Sequence, residues 1–201
     1  VPGKINGNTL FLGDSIMNST KSFSMDVVGE QRTFSKGAMT SKWLLEQVEN
    51  IKAGRPTDVP ANFSLDMFKD GNAVVMIGTN DIVSVGDGRY TKEKIFERIQ
   101  KIWEILESFG ITIYACTMPP FKGHTFSTYG SKYDEVNNNR KWINKKIIDS
   151  GRKVIRIDEL VADRDDNDKL SNTFHAGDWV HPNPGKLAHL IQSEVAKNQG
   201  A

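Results

Sequence analysis

The stretch NAVVMIG, Asn72 to Gly78, constrains the fold most, because an extended chain of this sequence is apolar on both faces. Such a strand cannot leave one face in water, so it belongs at the centre of a parallel sheet covered on each side. Parallel neighbours need crossover helices, and the chain supplies them between its strands. TLFL (Thr9 to Leu12), ITIYACT and KVIRID read as further strands, with DVVGEQ (Asp26 to Gln31) a weaker one between the first and the central strand. Ile95, Ile99, Ile102, Leu106 and Phe109 recur at helical spacing, with Thr91 as N-cap and Gly110 as stop. Trp43, Leu44, Val48 and Ile51 form a second stripe, and Val136, Ile143 and Ile147 a third. The last helix has Asn183 as cap, Pro184 in its first turn, and Leu187, Leu190, Ile191 and Val195 facing inward. This alternation predicts an α/β fold of three layers, α/β/α, around a parallel five-stranded sheet.

In such sheets ligands bind beyond the carboxyl ends of the strands. The chemically useful residues cluster there: Gly13-Asp14-Ser15 after the first strand, Gly78-Thr79-Asn80-Asp81 after the central one, and FHAGDWVHPN before the last helix. A serine nucleophile needs a base, a group that orients the base, and donors where negative charge develops. Ser15 opens a helix, which aims its backbone N–H at the site; taken alone, it also fits a helix cap or a phosphate ligand. His181 is the candidate base. Asp178, three residues earlier, reaches its imidazole through one local turn, and Pro182 and Pro184 stiffen the chain beyond. The Asn80 amide and the Gly37 backbone N–H, in FSKGAMT, are the further oxyanion donors.

These blocks, in this order, resemble the SGNH hydrolases, the GDSL family of esterases and lipases. FLGDSIM places Ser15 as nucleophile, IGTNDI places Asn80 and GDWVHPN places Asp178 and His181. FSKGAMT is the loosest block, lacking a clear Gly-x-x-Gly pattern, and its glycine is Gly37. CTMPPFKG and NNNRKWIN look like the region between the third and last blocks, so the resemblance runs from Thr9 to the final helix. It implies a flavodoxin-like sheet and a Ser15–His181–Asp178 triad. It also implies an oxyanion hole of the Ser15 and Gly37 N–H groups with the Asn80 amide. No metal or organic cofactor is needed for that chemistry. The nucleophile elbow of α/β-hydrolases does not fit, because Met17 occupies its second glycine position.

The expected reaction is ester hydrolysis through an acyl-enzyme, with removal of O-acetyl groups from a carbohydrate as the favoured substrate class. A lysophospholipase, thioesterase or short-chain acyl esterase is the alternative, and a silent glycan-binding module the reading from another class. Lys36, Lys122 and Lys132 with Phe121, Phe126 and Tyr129 read as the rim, either solvated or recognising a polar ligand. His124 and His175 fall in site loops, His189 on the last helix and Cys116 in a strand core. Asp14 and Asp81 read as structural acceptors of nearby backbone N–H groups. The acidic run from Asp163 lacks the glycine and glutamate an EF-hand loop requires and reads as a solvated loop.

Composition narrows the partners. The 201 residues suit one domain, 1–201, and a net charge of +1 gives no field for nucleic acid or an anionic membrane. A lone cysteine excludes an internal disulfide. No segment approaches the ~18 apolar residues of a membrane span. Beginning at Val1 without a signal pattern, the chain reads as one processed or cut from a longer protein, with secretion or a surface location among the options.

Overall fold

The computed structural model describes residues 3–83, 91–122 and 133–200. Its strands are β1 (Ile5–Asn6), β2 (Thr9–Gly13), β3 (Val27–Val28), β4 (Gln31–Ser35), β5 (Asn72–Met76), β6 (Thr112–Cys116) and β7 (Lys153–Ile155). The helices are α1 (Ser15–Thr20), α2 (Ser41–Ala53), α3 (Thr79–Ile82), α4 (Lys92–Glu107), α5 (Tyr133–Ile148), α6 (Ile157–Leu160) and α7 (Pro184–Gly200). Five strands form one parallel sheet in the order β4-β2-β5-β6-β7, with β5 in the middle as its two-sided apolarity requires.

Alternation across the pleat divides the core into two layers. Leu10, Leu12, Ala73, Val75, Ile113 and Ala115 point to one face, where α2, α4 and α5 bring Leu44, Val48, Ile99, Ile102 and Ile143. Phe11, Val74, Met76, Tyr114 and Cys116 point to the other, against Ile16 and Met17 of α1 and Leu187, Ile191 and Val195 of α7. On α4, Ile95, Ile99, Ile102, Trp103 and Leu106 are buried, and Thr91 caps it by accepting the Lys94 N–H. A helix of this length is marginal alone in water. Burying five large apolar side chains, at about 2 kcal/mol each, is what holds it on the sheet.

One expectation is corrected. The strand predicted over DVVGEQ lies later: the sheet takes β4, starting at Gln31, while Val27 and Val28 pair with Ile5 and Asn6 in a separate two-stranded ladder. Gly29, with φ of 132°, breaks the extended chain between the two. β4 is an edge strand that buries only Phe34 and Ser35, so its sequence lacks the apolar run that marks the strands beside β5.

Register sets the height of the site. Gly13 pairs with Ser35 on one side and Met76 on the other, so β4, β2 and β5 end level and their following loops start together. Gly13 is required there: a Cβ would collide with the Met76 carbonyl and sit 2.6 Å from the Met17 Cβ.

Candidate active site

Beyond these strand ends Ser15, His181 and Asp178 come together in sequence. The Ser15 Oγ lies 2.9 Å from His181 Nε2, and His181 Nδ1 lies 2.5 Å from Asp178 Oδ2. The other carboxylate oxygen, Oδ1, accepts the backbone N–H groups of Val180 at 3.0 Å and His181 at 2.9 Å. Partial burial acts to raise the Asp178 carboxyl, but hydrogen bonds from the His181 backbone and ring and from Val180 outweigh it and hold the group below its ordinary range. The site is open, with 36% of the His181 side chain and 45% of the Asp178 side chain exposed.

Ser15 is the first residue of α1, and Asp14 is its N-cap, accepting the Ile16 N–H at 2.9 Å. The sequence-predicted structural role of Asp14 therefore holds for one of its oxygens. Its Oδ2 is buried with no hydrogen-bond partner among the described residues. Desolvation by burial, reinforced by the Asp81 charge, pushes the Asp14 carboxyl up to about 7 against the opposing Ile16 N–H and His181. A raised carboxyl favours the native state below its unfolded pKa, and that contribution is lost as pH climbs through about 7. The shift corresponds to up to about 4 kcal/mol. Asp14→Asn keeps an acceptor for Ile16 and removes the charge. The variant is expected to be more stable than the parent in urea at about pH 8, with the gap closing toward about pH 4. Identical pH dependence of the two proteins would contradict this account of Asp14.

Gly37 lies in the loop after β4, and a Cβ placed on it would be 3.9 Å from the Ser15 Cβ, so this stretch lies beside Ser15. Its neighbour Ala38 has φ of 63°, a left-handed position where glycine is at ease. Asn80, on α3, donates its amide Nδ2–H to the Met39 carbonyl at 2.9 Å, which ties the loop after β5 to the loop after β4. Asp81 makes a second tie. It accepts the Ser41 N–H at 2.9 Å and the Ser41 hydroxyl at 2.6 Å, 40 residues away. Burial raises its carboxyl to about 6 against those bonds. The Met39 and Ser41 partners were not legible in the sequence, since only the register of β4, β2 and β5 brings the two loops side by side.

Of the expected rim, Lys36, Phe121 and Lys122 are among the described residues. Phe121 is corrected: it is buried, edge-on to Tyr133 at 5.5 Å, because α5 covers it. Lys122 is ion-paired to Asp166 at 2.6 Å, and Lys36 is exposed. His124, Phe126, Tyr129 and Lys132 lie outside the described residues. His189 is exposed on α7, and Cys116 is buried, where desolvation pushes its thiol up. The acidic run is anchored by cations, with Asp168 bridged to Lys141 at 2.9 Å and to the buried Arg140 at 3.4 Å.

The chain has the fold of the SGNH hydrolases. Its structure is similar to a GDSL-like lipase from Bacteroides thetaiotaomicron, with a TM-score of 0.65, 14% identity, and 96% of this chain and 89% of that chain covered. It is also similar to a member of the lipolytic G-D-S-L family from Veillonella parvula, with a TM-score of 0.57, 17% identity, and 95% and 96% covered. An acetyl xylan esterase aligns with a TM-score of 0.60 and 18% identity over 92% of this chain and 97% of that one. No protein-family model matches the sequence, and no curated protein matches it. No helix among the described residues is long and apolar enough to cross a membrane.

Proposed function

We propose that the chain is a serine esterase of the SGNH type that removes acetyl groups from an O-acetylated carbohydrate. The observation that carries the esterase reading is the hydrogen-bonded series Ser15 Oγ, His181 Nε2 and Nδ1, Asp178 Oδ2, at 2.9 and 2.5 Å. His181 accepts the hydroxyl proton as Ser15 Oγ bonds to the ester carbonyl carbon. Its Nδ1–H donates throughout to Asp178, which fixes the tautomer and stabilises the imidazolium. The carbonyl oxygen becomes an oxyanion facing the Ser15 and Gly37 N–H groups and the Asn80 amide. Collapse expels the alcohol, which takes the proton from His181. Water, deprotonated by His181, then attacks the acyl-enzyme and frees Ser15 and the acid.

The Met39 carbonyl accepts an Asn80 amide hydrogen and so helps to hold the group whose amide is the proposed oxyanion donor. Asn80→Ala is expected to lower kcat by ~10²–10³ with the fold retained. An unchanged rate would remove Asn80 from the oxyanion hole.

Support for acetate comes from the polar sequence of the stretch FKGHTFSTYGSK, from the open His181–Asp178 pair and from the likeness to an acetyl xylan esterase. The test is a panel of acetylated sugars set against acyl esters and thioesters of rising chain length. Steep preference for acetate on sugar is expected. Activity rising with acyl length would overturn the carbohydrate assignment in favour of a lipid or thioester substrate.

A further inference from the structure

Between Asp178 and His181 sits Trp179, whose role the chemistry above leaves unassigned. Its φ of 63° is left-handed, a conformation that disfavours a bulky residue and recurs where a functional site over-determines the backbone. Its indole is gripped by two side chains. The His175 imidazole stacks on it with centroids 3.9 Å apart and planes at 21°, and the Lys169 ammonium lies 4.8 Å from the ring centroid. His175 is itself fixed. Its Nδ1 accepts the Gly177 N–H at 3.1 Å, and its backbone pairs with Pro182 in an antiparallel bridge. The Ala176 N–H donates to the His181 carbonyl at 2.9 Å, which closes the loop at its base. On the far side of the turn Val180 is buried in the α2–α4–α5 layer, whereas Trp179 packs against the α1–α7 layer. Successive residues thus anchor the turn in both layers.

We propose that Trp179, clamped by His175, is a positioning residue that holds the Asp178 carboxylate against His181 Nδ1. The proposal rests on the esterase reading only for its kinetic consequences. Asp178 Oδ1 accepts the Val180 and His181 N–H groups through the turn that Trp179 closes, so its other oxygen is aimed at the imidazole. Without the clamp the turn samples other conformers, and the imidazolium loses part of its partner. His181 is faced by Asp178 from its own turn, and by Ser15 and the buried Asp14 from the start of α1.

The test compares Trp179→Ala, Trp179→Gly, Trp179→Phe and His175→Ala, with folding checked by thermal denaturation. Two readouts are used: hydrolysis of p-nitrophenyl acetate across pH, and titration of the His181 ring by nitrogen NMR. Ala and Gly at position 179 are expected to lower kcat by roughly 10–100-fold, with KM within about threefold, as misplaced catalytic groups do. Both should move the acid limb and the His181 titration to lower pH. Phe, which keeps a ring for His175, should restore most of the rate, and His175→Ala should fall between. Trp179→Gly matching or exceeding the parent would overturn the proposal, because backbone conformation alone would then set the turn. An unmoved His181 titration in folded Trp179→Ala, or in His175→Ala should the Trp179 variants not fold, would also overturn it. The NMR readout needs no turnover. A protein that hydrolyses no ester therefore sinks the esterase reading while the clamp is still judged.

Discussion

Ser15→Ala is expected to abolish ester hydrolysis down to background, a loss of roughly 10⁴–10⁶ in kcat by comparison with other serine hydrolases. The size follows from geometry. The only hydroxyl described within hydrogen-bond reach of His181 Nε2 is that of Ser15, at 2.9 Å, so alanine leaves the base no covalent nucleophile to activate. Removing the hydroxyl leaves the helix cap intact, since Asp14 rather than Ser15 accepts the Ile16 N–H. The variant should therefore unfold at the parent's temperature and still bind substrate. An Ala variant that loses activity only in proportion to lost folded protein would argue against a nucleophile. Equal rates in parent and variant would favour a cleft that binds glycan without chemistry.

Asp178→Asn is the second large effect, expected to cost about 10⁴ in kcat. The substitution keeps an acceptor for the Val180 and His181 N–H groups at Oδ1, so the turn survives. Facing His181 Nδ1, an amide nitrogen would present a donor where an acceptor is required. The ring would then take the tautomer with the proton on Nε2, which cannot accept the Ser15 proton. The carboxylate's lowered pKa gives the pH side of the same argument: a depressed carboxyl contributes above its unfolded pKa and is lost as pH falls through the folded one. Activity of the parent should thus persist at any pH where His181 is neutral, limited by the histidine and not by Asp178. Parental activity in Asp178→Asn would mean that another group orients the base.

How much of this was legible in the sequence depended on how local each determinant is. β2, β5 and β6 were readable because they are buried on both faces, and α4 because its apolar stripe is continuous and capped. β4 was not, since an edge strand with only Phe34 and Ser35 inside carries a polar sequence. In the site, Asp178 and His181 stand three residues apart and one turn joins them, so spacing sufficed. The ties Asn80–Met39 and Asp81–Ser41 depend on two loops meeting across β2, which no single stretch encodes. The polar side of α5 escaped for a related reason. Asn137, Arg140 and Asn144 look like a solvated face, yet they are buried, and Asn144 bonds both the N–H and the carbonyl of Met118. Buried polar groups of this kind are stable only with partners that the fold alone supplies.

The central claim is that Ser15 carries the acyl group between two half-reactions. Rapid mixing with p-nitrophenyl acetate, quenching in acid and peptide mass spectrometry tests it most directly. The account predicts a burst of p-nitrophenol near one equivalent of enzyme. It also predicts one added acetyl group on the peptide containing Ser15, absent from Ser15→Ala. An acetyl group on another residue, or hydrolysis with no burst and no adduct in any phase, would contradict it.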